Sequence, residues 1–109
     1  MDRDIIVTLL GYSSRAEALK DIVASRKGEW MRIEVPATPK QSQVNGRCFL
    51  VWDNHLLGFL NIKDIVNTDE EQAVYIGGKL KGCNKMEYPN FTGYKYFDYQ
   101  LYYDTYYNL

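Results

Sequence analysis

Metal ligands are scarce in this chain of 109 residues. It contains one histidine, His55, and two cysteines, Cys48 and Cys83, none of which has a partner at the spacing of a zinc site. We therefore expect two free thiols and an exposed histidine at a turn. The pair Gly77-Gly78 is not followed by the lysine, serine and helix start of a phosphate-binding loop. The sequence thus predicts no metal site and no bound cofactor, and it carries none of the common catalytic signatures.

An excess of charge of either sign is also absent. The chain has 13 basic and 14 acidic residues and a net charge of −1, so no overall field draws it to nucleic acid or to an anionic membrane. No apolar run approaches the length needed to cross a membrane, and the N-terminus lacks the pattern of a signal peptide. We expect a single domain over residues 1–109 in the cytoplasm, without membrane contact. Binding to nucleic acid would then depend on a local basic patch.

The first third of the chain indicates a strand, a helix and a second strand. Residues 5–10 are β-branched and apolar, which is typical of a central strand buried on both faces. Ser14 and Glu17 form the pattern of a capping box, which starts a helix that ends near Ser25. Residues 29–35 alternate between apolar and polar positions and predict a strand that ends at the following proline.

The middle of the chain indicates strands joined by hairpins. Residues 47–52 and 55–62 are apolar runs on either side of Asp53-Asn54, a pair suited to a tight turn. A short strand over residues 73–76 is predicted to turn back at Gly77-Gly78. Together with the polar loops that remain, this order predicts an α+β fold, with a mostly antiparallel curved sheet or small β-barrel and one main N-terminal helix.

Tyrosine is concentrated at the C-terminal end, where eight of the ten tyrosines lie in the last 22 residues. Residues 94–109 are predicted to form a long strand, because tyrosine suits a strand that packs on one side and binds on the other. One face of this strand would carry acidic and aromatic side chains for contact with a protein, namely Asp98, Tyr102, Asp104 and Tyr106. A long exposed edge would also allow two copies to pair into a homodimer.

A basic and aromatic patch is predicted where the helix runs into the second strand. Lys27 follows the helix end, and Trp30 and Arg32 share one strand face. An indole beside a guanidinium can hold a base or a ribose, with Lys27 available for phosphate. Lys79 and Lys81 are candidates to extend this nucleic-acid-binding surface.

The same patch also allows a purely structural interpretation. Trp30 would pack under the loop at residues 36–46, and Arg32 would pair with a carboxylate such as Glu34 or Asp64. The exposure of Trp30 distinguishes the two interpretations, as the exposure of Tyr102 tests the surface at the C-terminal end.

Three segments carry a resemblance to a known family. Residues 22–33 read Ile-Val-Ala-Ser-Arg-Lys-Gly-Glu-Trp-Met-Arg-Ile, residues 45–51 read Asn-Gly-Arg-Cys-Phe-Leu-Val, and residues 57–62 read Leu-Gly-Phe-Leu-Asn-Ile. Together they resemble the small ASCH domains of the PUA-like superfamily, which place a lysine before a strand bearing an arginine and a glycine before later strands. The resemblance covers residues 5–66 and does not include the tyrosine-rich end.

The resemblance implies a PUA-like core of about residues 4–90, with a cleft between helix and sheet that relatives use to bind RNA or modified nucleosides. Lys27 and Arg32 are the positions that carry over. Some small ASCH enzymes are amidohydrolases that use a lysine and a threonine three residues later, but the residue at that spacing from Lys27 is Trp30. Trp30 has no nucleophilic oxygen, so this activity would need another nucleophile.

Three functional hypotheses follow. The first is a non-enzymatic module that binds RNA or a nucleotide through Lys27, Trp30 and Arg32. The second is a small inhibitor of the kind that phages encode, which would act in the host cytoplasm on a defence or nucleic-acid-processing protein through the acidic and aromatic C-terminal residues. The third is an ASCH-like hydrolase with Thr8 or Ser25 as its nucleophile.

Overall fold

The computed structural model describes residues 4–83 and 86–106. Within these residues, six strands form one curled, mixed sheet with the shape of a half-barrel, and two helices accompany it. The elements in chain order are β1 (Asp4–Thr8), α1 (Arg15–Ser25), β2 (Met31–Glu34), β3 (Arg47–Trp52), β4 (His55–Asn67), β5 (Gln72–Lys81), β6 (Tyr94–Phe97) and α2 (Tyr99–Tyr106), with a 3-10 turn at Gln41–Gln43. The expected α+β class and curved sheet are therefore confirmed.

The strands lie across the sheet in the order β2-β5-β4-β3-β1-β6. Neighbouring strands are antiparallel except β1 and β3, which are parallel, so the expectation of a mostly antiparallel sheet is confirmed. The two edge strands, β2 and β6, are each four residues long. The short β6 replaces the long exposed edge that suggested a homodimer.

The sheet is covered on both faces, and each face has its own core. On one face, α1 packs Ala18 and Ile22 onto aliphatic residues of the sheet such as Ile5 and Leu50. On the other face, Phe49 lies in a core that is rich in aromatic rings. β1 is consequently buried on both faces, as its sequence predicts.

α1 begins close to where its sequence signal predicts. The Ser14 hydroxyl accepts a hydrogen bond from the Glu17 amide at 3.2 Å, as in a capping box. The reciprocal bond is shifted by one residue, because the Glu17 carboxylate accepts from the backbone amide of Ser13. Glu17 thus caps the chain just before the predicted position.

The tight turn between β3 and β4 is confirmed at Asp53-Asn54. Both residues have left-handed backbone angles, with φ of 52° and 60°, as a two-residue hairpin requires. The turn is fastened to a later segment of the chain by reciprocal hydrogen bonds of 2.9 Å between the backbone amides and side-chain oxygens of Asn54 and Asn90. This attachment positions residues 86–90 beside the turn.

The predicted hairpin at Gly77-Gly78 is wrong. β5 continues through both glycines to Lys81, and its pairing with β4 is irregular at this point. A glycine pair serves in a bulge as well as in a turn, because glycine tolerates the φ of +99° found at Gly78. The turn that joins β4 to β5 lies earlier, at residues 68–71.

The predicted strand over residues 94–109 is wrong beyond its first four residues. β6 ends at Phe97, and Asp98 starts a helix because its carboxylate accepts the Leu101 amide at 3.0 Å. α2 follows as a second helix, which the sequence analysis did not predict. Residues 107–109 lie outside the described part of the chain.

Candidate functional site

The basic patch at the end of α1 is partly assembled as predicted. Trp30 lies just before β2 and is 49% exposed, so it does not have the buried position expected under the loop at residues 36–46. Its indole packs against Gly77, where an added Cβ would lie 2.8 Å from the ring. Trp30 lines a cavity of about 300 Å³ together with Tyr12, Asp21, Ala24, Glu29, Met31 and Arg32.

Arg32 is held by carboxylates. Its guanidinium donates to Glu34 at 2.7 Å and also to Glu71, which in turn accepts a hydrogen bond from the Tyr75 hydroxyl at 2.8 Å. The bond from Arg32 is the main reason that the pKa of Glu71 lies below its ordinary value. The predicted pairing with Glu34 is confirmed, whereas Glu71 was missed because only the pairing of β2 with β5 brings it near.

The three predicted lysines do not line this cavity. Lys27 follows the end of α1, where its backbone amide donates to Ala24 at 3.0 Å, while Lys79 and Lys81 are exposed on β5. The charged residues that do line it are Asp21, Glu29 and the already paired Arg32. This cavity is therefore more negative than a phosphate site requires.

The hydroxyls considered as nucleophiles are both buried and hydrogen-bonded. Thr8 accepts a hydrogen bond from the Phe91 amide at 3.1 Å, and Ser25 donates to the carbonyl of Ile22 at 2.6 Å. Neither hydroxyl faces the cavity beside Trp30. Both hydroxyls are therefore engaged inside the fold and are not presented to a substrate in this cavity.

A continuous layer of aromatic rings covers the other face of the sheet. Phe49 is at its centre, with ring centroids of Phe59, Phe97 and Tyr99 at 5.1, 5.1 and 5.4 Å. The aromatic layer, as we call it, consists of Phe49, Phe59, Tyr88, Phe91, Phe97, Tyr99, Tyr102, Tyr103 and Tyr106. It attaches α2 to the sheet although no residue of α2 is fully buried.

A groove of about 700 Å³ opens at the end of this layer, between α2 and the β3–β4 turn. It is lined by Asn54, His55, Glu87, Pro89, Tyr102 and Tyr106. The Tyr102 hydroxyl donates to the Glu87 carbonyl at 2.6 Å, which fixes its ring, and the Tyr106 ring lies 4.6 Å from that of Tyr102. Tyr106 itself is 65% exposed, so the groove presents an aromatic wall to solvent.

The four predicted protein-binding residues separate into two roles. Tyr102 and Tyr106 lie one turn apart on α2 and line the groove together. Asp98 caps the helix, and the Asp104 carboxylate accepts a hydrogen bond from the side-chain amide of Gln100 at 3.0 Å. The two aspartates therefore shape and charge the helix but do not line the groove.

Four groove residues were not predicted as site residues: Asn54, which was expected only as part of the turn, and His55, Glu87 and Pro89. Glu87 and Pro89 lie in a segment without periodicity, and His55 was expected merely to be exposed at its turn, which it is. A backbone bridge pairs His55 with Glu87, and Leu56 donates to the carbonyl of Met86 at 2.9 Å. Only this long-range attachment brings the residues together, so the sequence held no signal for them.

Two of the chain's own cations already lie on the aromatic layer. The guanidinium carbon of Arg47 is 5.4 Å from the Phe49 centroid and 5.3 Å from that of Phe59. The Lys95 ammonium lies 4.5 Å from Phe91 and 6.0 Å from Tyr88. These rings therefore bind cations as well as pack.

Comparison of the chain with protein-family models, curated proteins and solved structures finds no match. Across residues 4–83 and 86–106, no group of three or more histidine, cysteine or acidic side chains is arranged to hold a metal ion. Cys48 and Cys83 are free thiols, as expected. Neither α1 nor α2 is long and apolar enough to span a membrane.

Proposed function

We propose that this protein is a non-enzymatic module that binds a partner protein through α2 and the groove beside it. The observation that carries the proposal is the exposure of large apolar side chains on a helix attached to the fold by one side. Leu101 and Tyr106 are 64% and 65% exposed, and the groove extends this surface. Tyrosine is among the residues that most often dominate the binding energy of protein interfaces.

The charge around the groove favours a protein over a nucleic acid. Asp98 and Asp104 lie on or beside α2, Glu87 lines the groove, and α2 itself contains no lysine or arginine. These carboxylates would repel phosphate groups, whereas a basic protein surface would be attracted. A small inhibitor of a defence or nucleic-acid-processing protein in the cytoplasm is the form of this function that we favour.

The proposal is tested by co-purification from cells that naturally encode the protein. A tagged wild-type chain is expected to retain a specific partner, and a Tyr102→Ala/Tyr106→Ala double variant is expected to lose it. Tyr96→Ala, which removes an exposed tyrosine on β6, and Trp30→Ala serve as controls and should retain it. Loss of the partner with Trp30→Ala but not with the double variant would contradict the proposal.

A nucleotide or RNA site beside Trp30 is the second candidate. The half-exposed indole favours it, because an accessible ring is what stacking on a base requires. Arg32 would have to exchange Glu34 and Glu71 for phosphate, which makes this candidate the weaker one. A fluorescent oligonucleotide at low salt should then bind with an affinity that falls in Trp30→Ala, and absence of any binding would reject it.

The ASCH-like, PUA-like identity of the fold is part of this second candidate. The opening strand and helix and the curled sheet support it. The hydrolase form of the resemblance receives no support from Thr8 and Ser25, which are buried and engaged. Incubation with acylated nucleosides would test it directly, with Lys27→Ala as the variant expected to lose any deacylation.

A further inference from the structure

β2 forms one edge of the sheet, and alternate residues of its backbone face away from the sheet. In the described part of the chain β2 pairs with β5 alone. The Val35 amide donates to the Gln72 carbonyl of the β5 side at 3.2 Å. Because an antiparallel strand directs alternate residues toward each side, the backbone of Ile33 also faces β5, whereas the backbones of Arg32 and Glu34 face outward. Among the described residues these outward groups have no backbone partner.

The sequence of β2 complements itself when two copies run antiparallel about Ile33. Arg32 of each copy then lies opposite Glu34 of the other, and opposite charges stabilise a cross-strand pair. Ile33 lies opposite its own counterpart, and Met31 lies opposite Val35. These apolar residues share the face that packs on the aliphatic core, so the core of each copy would continue into the other.

The charge pattern also selects this register over its neighbours. Outward-facing residues must pair with outward-facing residues, so the symmetry axis within β2 can lie at Arg32, Ile33 or Glu34. An axis at Arg32 or at Glu34 would place like charges directly opposite each other, which is destabilising. An axis at Ile33 avoids this contact and gives the longest overlap of the two strands.

We propose that β2 pairs in this register with β2 of a second copy of this chain, so that a homodimer with one continuous sheet forms. The Glu34 side chain is 77% exposed and accessible to another copy. Arg32 uses Nε for Glu71 and Nη1 for Glu34 of its own chain, which leaves Nη2 for the Glu34 carboxylate of the second copy. A charge-assisted bond at this position would join the strands in addition to their backbone hydrogen bonds.

The opposite edge of the sheet is less suited to such pairing. The Leu9 amide donates to β3 at 2.8 Å, so by alternation Ile6 faces its partner Lys95 in β6. The outward residues of β6 are then Tyr94 and Tyr96. Pairing of two β6 strands about their middle would place Lys95 of one copy opposite Lys95 of the other, and an edge lysine of this kind hinders strand pairing.

The paired segment is short, which sets the expected strength of the dimer. Pro36 ends it, because proline has no N–H to donate and because its ring lies against Gly93, where an added Cβ would be 3.4 Å from the proline Cδ. A short segment buries little surface, so we expect a weak dimer whose population rises with protein concentration.

The inference goes beyond the proposed function and does not rest on it. β2 and β6 lie at opposite ends of the strand order, and α2 follows β6. Pairing through β2 would therefore join two copies by the edge remote from β6. Such a dimer would present two copies of α2 to a partner, which strengthens binding to a partner with repeated sites.

Sedimentation velocity of the full chain, from low concentration into the millimolar range, tests the dimer. The wild-type chain should pass from monomer to dimer, and a monomer at every concentration overturns the inference. Arg32→Glu and Glu34→Arg each place like charges opposite each other and should weaken the dimer about tenfold or more. Lys95→Glu and Glu87→Arg make the same changes of charge at exposed positions outside β2 and should leave the dimer unchanged.

A mixture of the two β2 variants tests the register itself. When Arg32→Glu pairs with Glu34→Arg, both cross-strand positions again hold opposite charges, so a mixed dimer should form at concentrations where neither variant dimerises alone. A fluorescent label on one variant identifies the mixed species, and circular dichroism checks that each variant is folded. Failure of the mixture to dimerise would overturn the proposed register.

A proline variant tests the backbone pairing independently of charge reversal. Glu34→Pro removes an outward amide and spares the hydrogen bonds to β5, a position at which an edge strand accepts proline. This variant should remain folded and lose the dimer, and a dimer that survives it would refute pairing through β2. Co-purification of a partner that depends on Tyr102 and Tyr106 is a separate result, so either proposal can fail while the other stands.

Discussion

Substitution of Gly58 by alanine is expected to be among the most destabilising single changes in the sheet. Gly58 lies in β4 where the pairing with β3 shifts register, and its φ is +147°. A Cβ at this position would lie 2.3 Å from the carbonyl oxygen of Lys81 and 3.1 Å from the Cα of Gly82. Because both atoms belong to the backbone, no rotation of a side chain can relieve the contact.

Two costs contribute to the expected loss of stability. Inserting a methyl group into a tightly packed site costs about 1–3 kcal/mol, and a backbone angle that alanine rarely adopts costs a further 1–3 kcal/mol or so. We expect the free energy of unfolding to fall by about 2–6 kcal/mol, a large share of the roughly 5–15 kcal/mol that stabilises a domain. Relief would require β4 and β5 to separate locally.

Urea unfolding followed by circular dichroism measures this loss, and two other glycines serve as controls. Gly28 has a φ of +94° but no atom within 4 Å of an added Cβ, so Gly28→Ala carries the backbone strain alone and should cost about 1 kcal/mol. At Gly82 an added Cβ would meet no atom within 4 Å, and the backbone is not in the left-handed region. Gly82→Ala should therefore change the free energy of unfolding by less than about 0.5 kcal/mol. Equal stability of the Gly58 and Gly28 variants would refute the proposed close approach of β4 to β5.

Three further predictions concern single side chains. Cys48 should resist alkylation in the native protein because burial raises the pKa of its thiol, whereas the half-buried Cys83 should react slowly and be detected by mass spectrometry. Burial, and then the hydrogen bond and charge of Asp21, raise the pKa of Tyr12 from 10.0 to about 12. The stability that Tyr12 gains from this shift is present below pH 10 and lost as pH rises through 12, so Tyr12→Phe should flatten that part of an unfolding-versus-pH curve. Asp98→Ala removes the cap of α2 and should lower stability by about 1 kcal/mol, with a loss of helical circular dichroism; unchanged helicity would contradict the capping role.

The elements that could be predicted from the sequence are those with local signals. Residues 5–10 predict β1 because a short, nearly all-apolar run rich in β-branched residues is typical of a buried strand. Ser14 predicts the start of α1 through its cap. Asp53-Asn54 predicts the β3–β4 turn because few residues tolerate two left-handed angles in succession. Each of these signals lies within a few residues of the structure that it specifies.

The features that could not be predicted depend on contacts between distant residues. The parallel pairing of β1 with β3 and the antiparallel pairing of β2 with β5 join strands that are not consecutive. The pairing of β2 with β5 brings Arg32 to Glu71. Separate long-range hydrogen bonds, such as that from the Tyr88 amide to the Asn54 carbonyl, bring the Asp53-Asn54 turn to the segment containing Glu87. Trp30 and Arg32, which are close in sequence, line one cavity, and Glu34 was foreseen as a partner of Arg32, but Glu71 was not.

The tyrosine-rich end illustrates why composition alone did not decide between a strand and a helix. Tyrosine favours strands in general. Here, however, two pairs of tyrosines have the four-residue spacing that brings side chains together on a helix. The ring centroids of Tyr99 and Tyr103 are 6.2 Å apart in α2, and those of Tyr102 and Tyr106 are 4.6 Å apart. The helix packs both tyrosine pairs on or beside the aromatic layer. Asp98 caps the start of α2, where the chain leaves β6.

The helix also changes the kind of recognition that this end of the chain supports. A long strand would have offered backbone hydrogen bonds to a partner's sheet, whereas α2 satisfies its own backbone and offers side chains. Tyr106 and Leu101 are exposed on a helix that lies beside a groove. Under the proposed function, a partner would therefore contact side chains of α2 rather than the backbone of an edge strand.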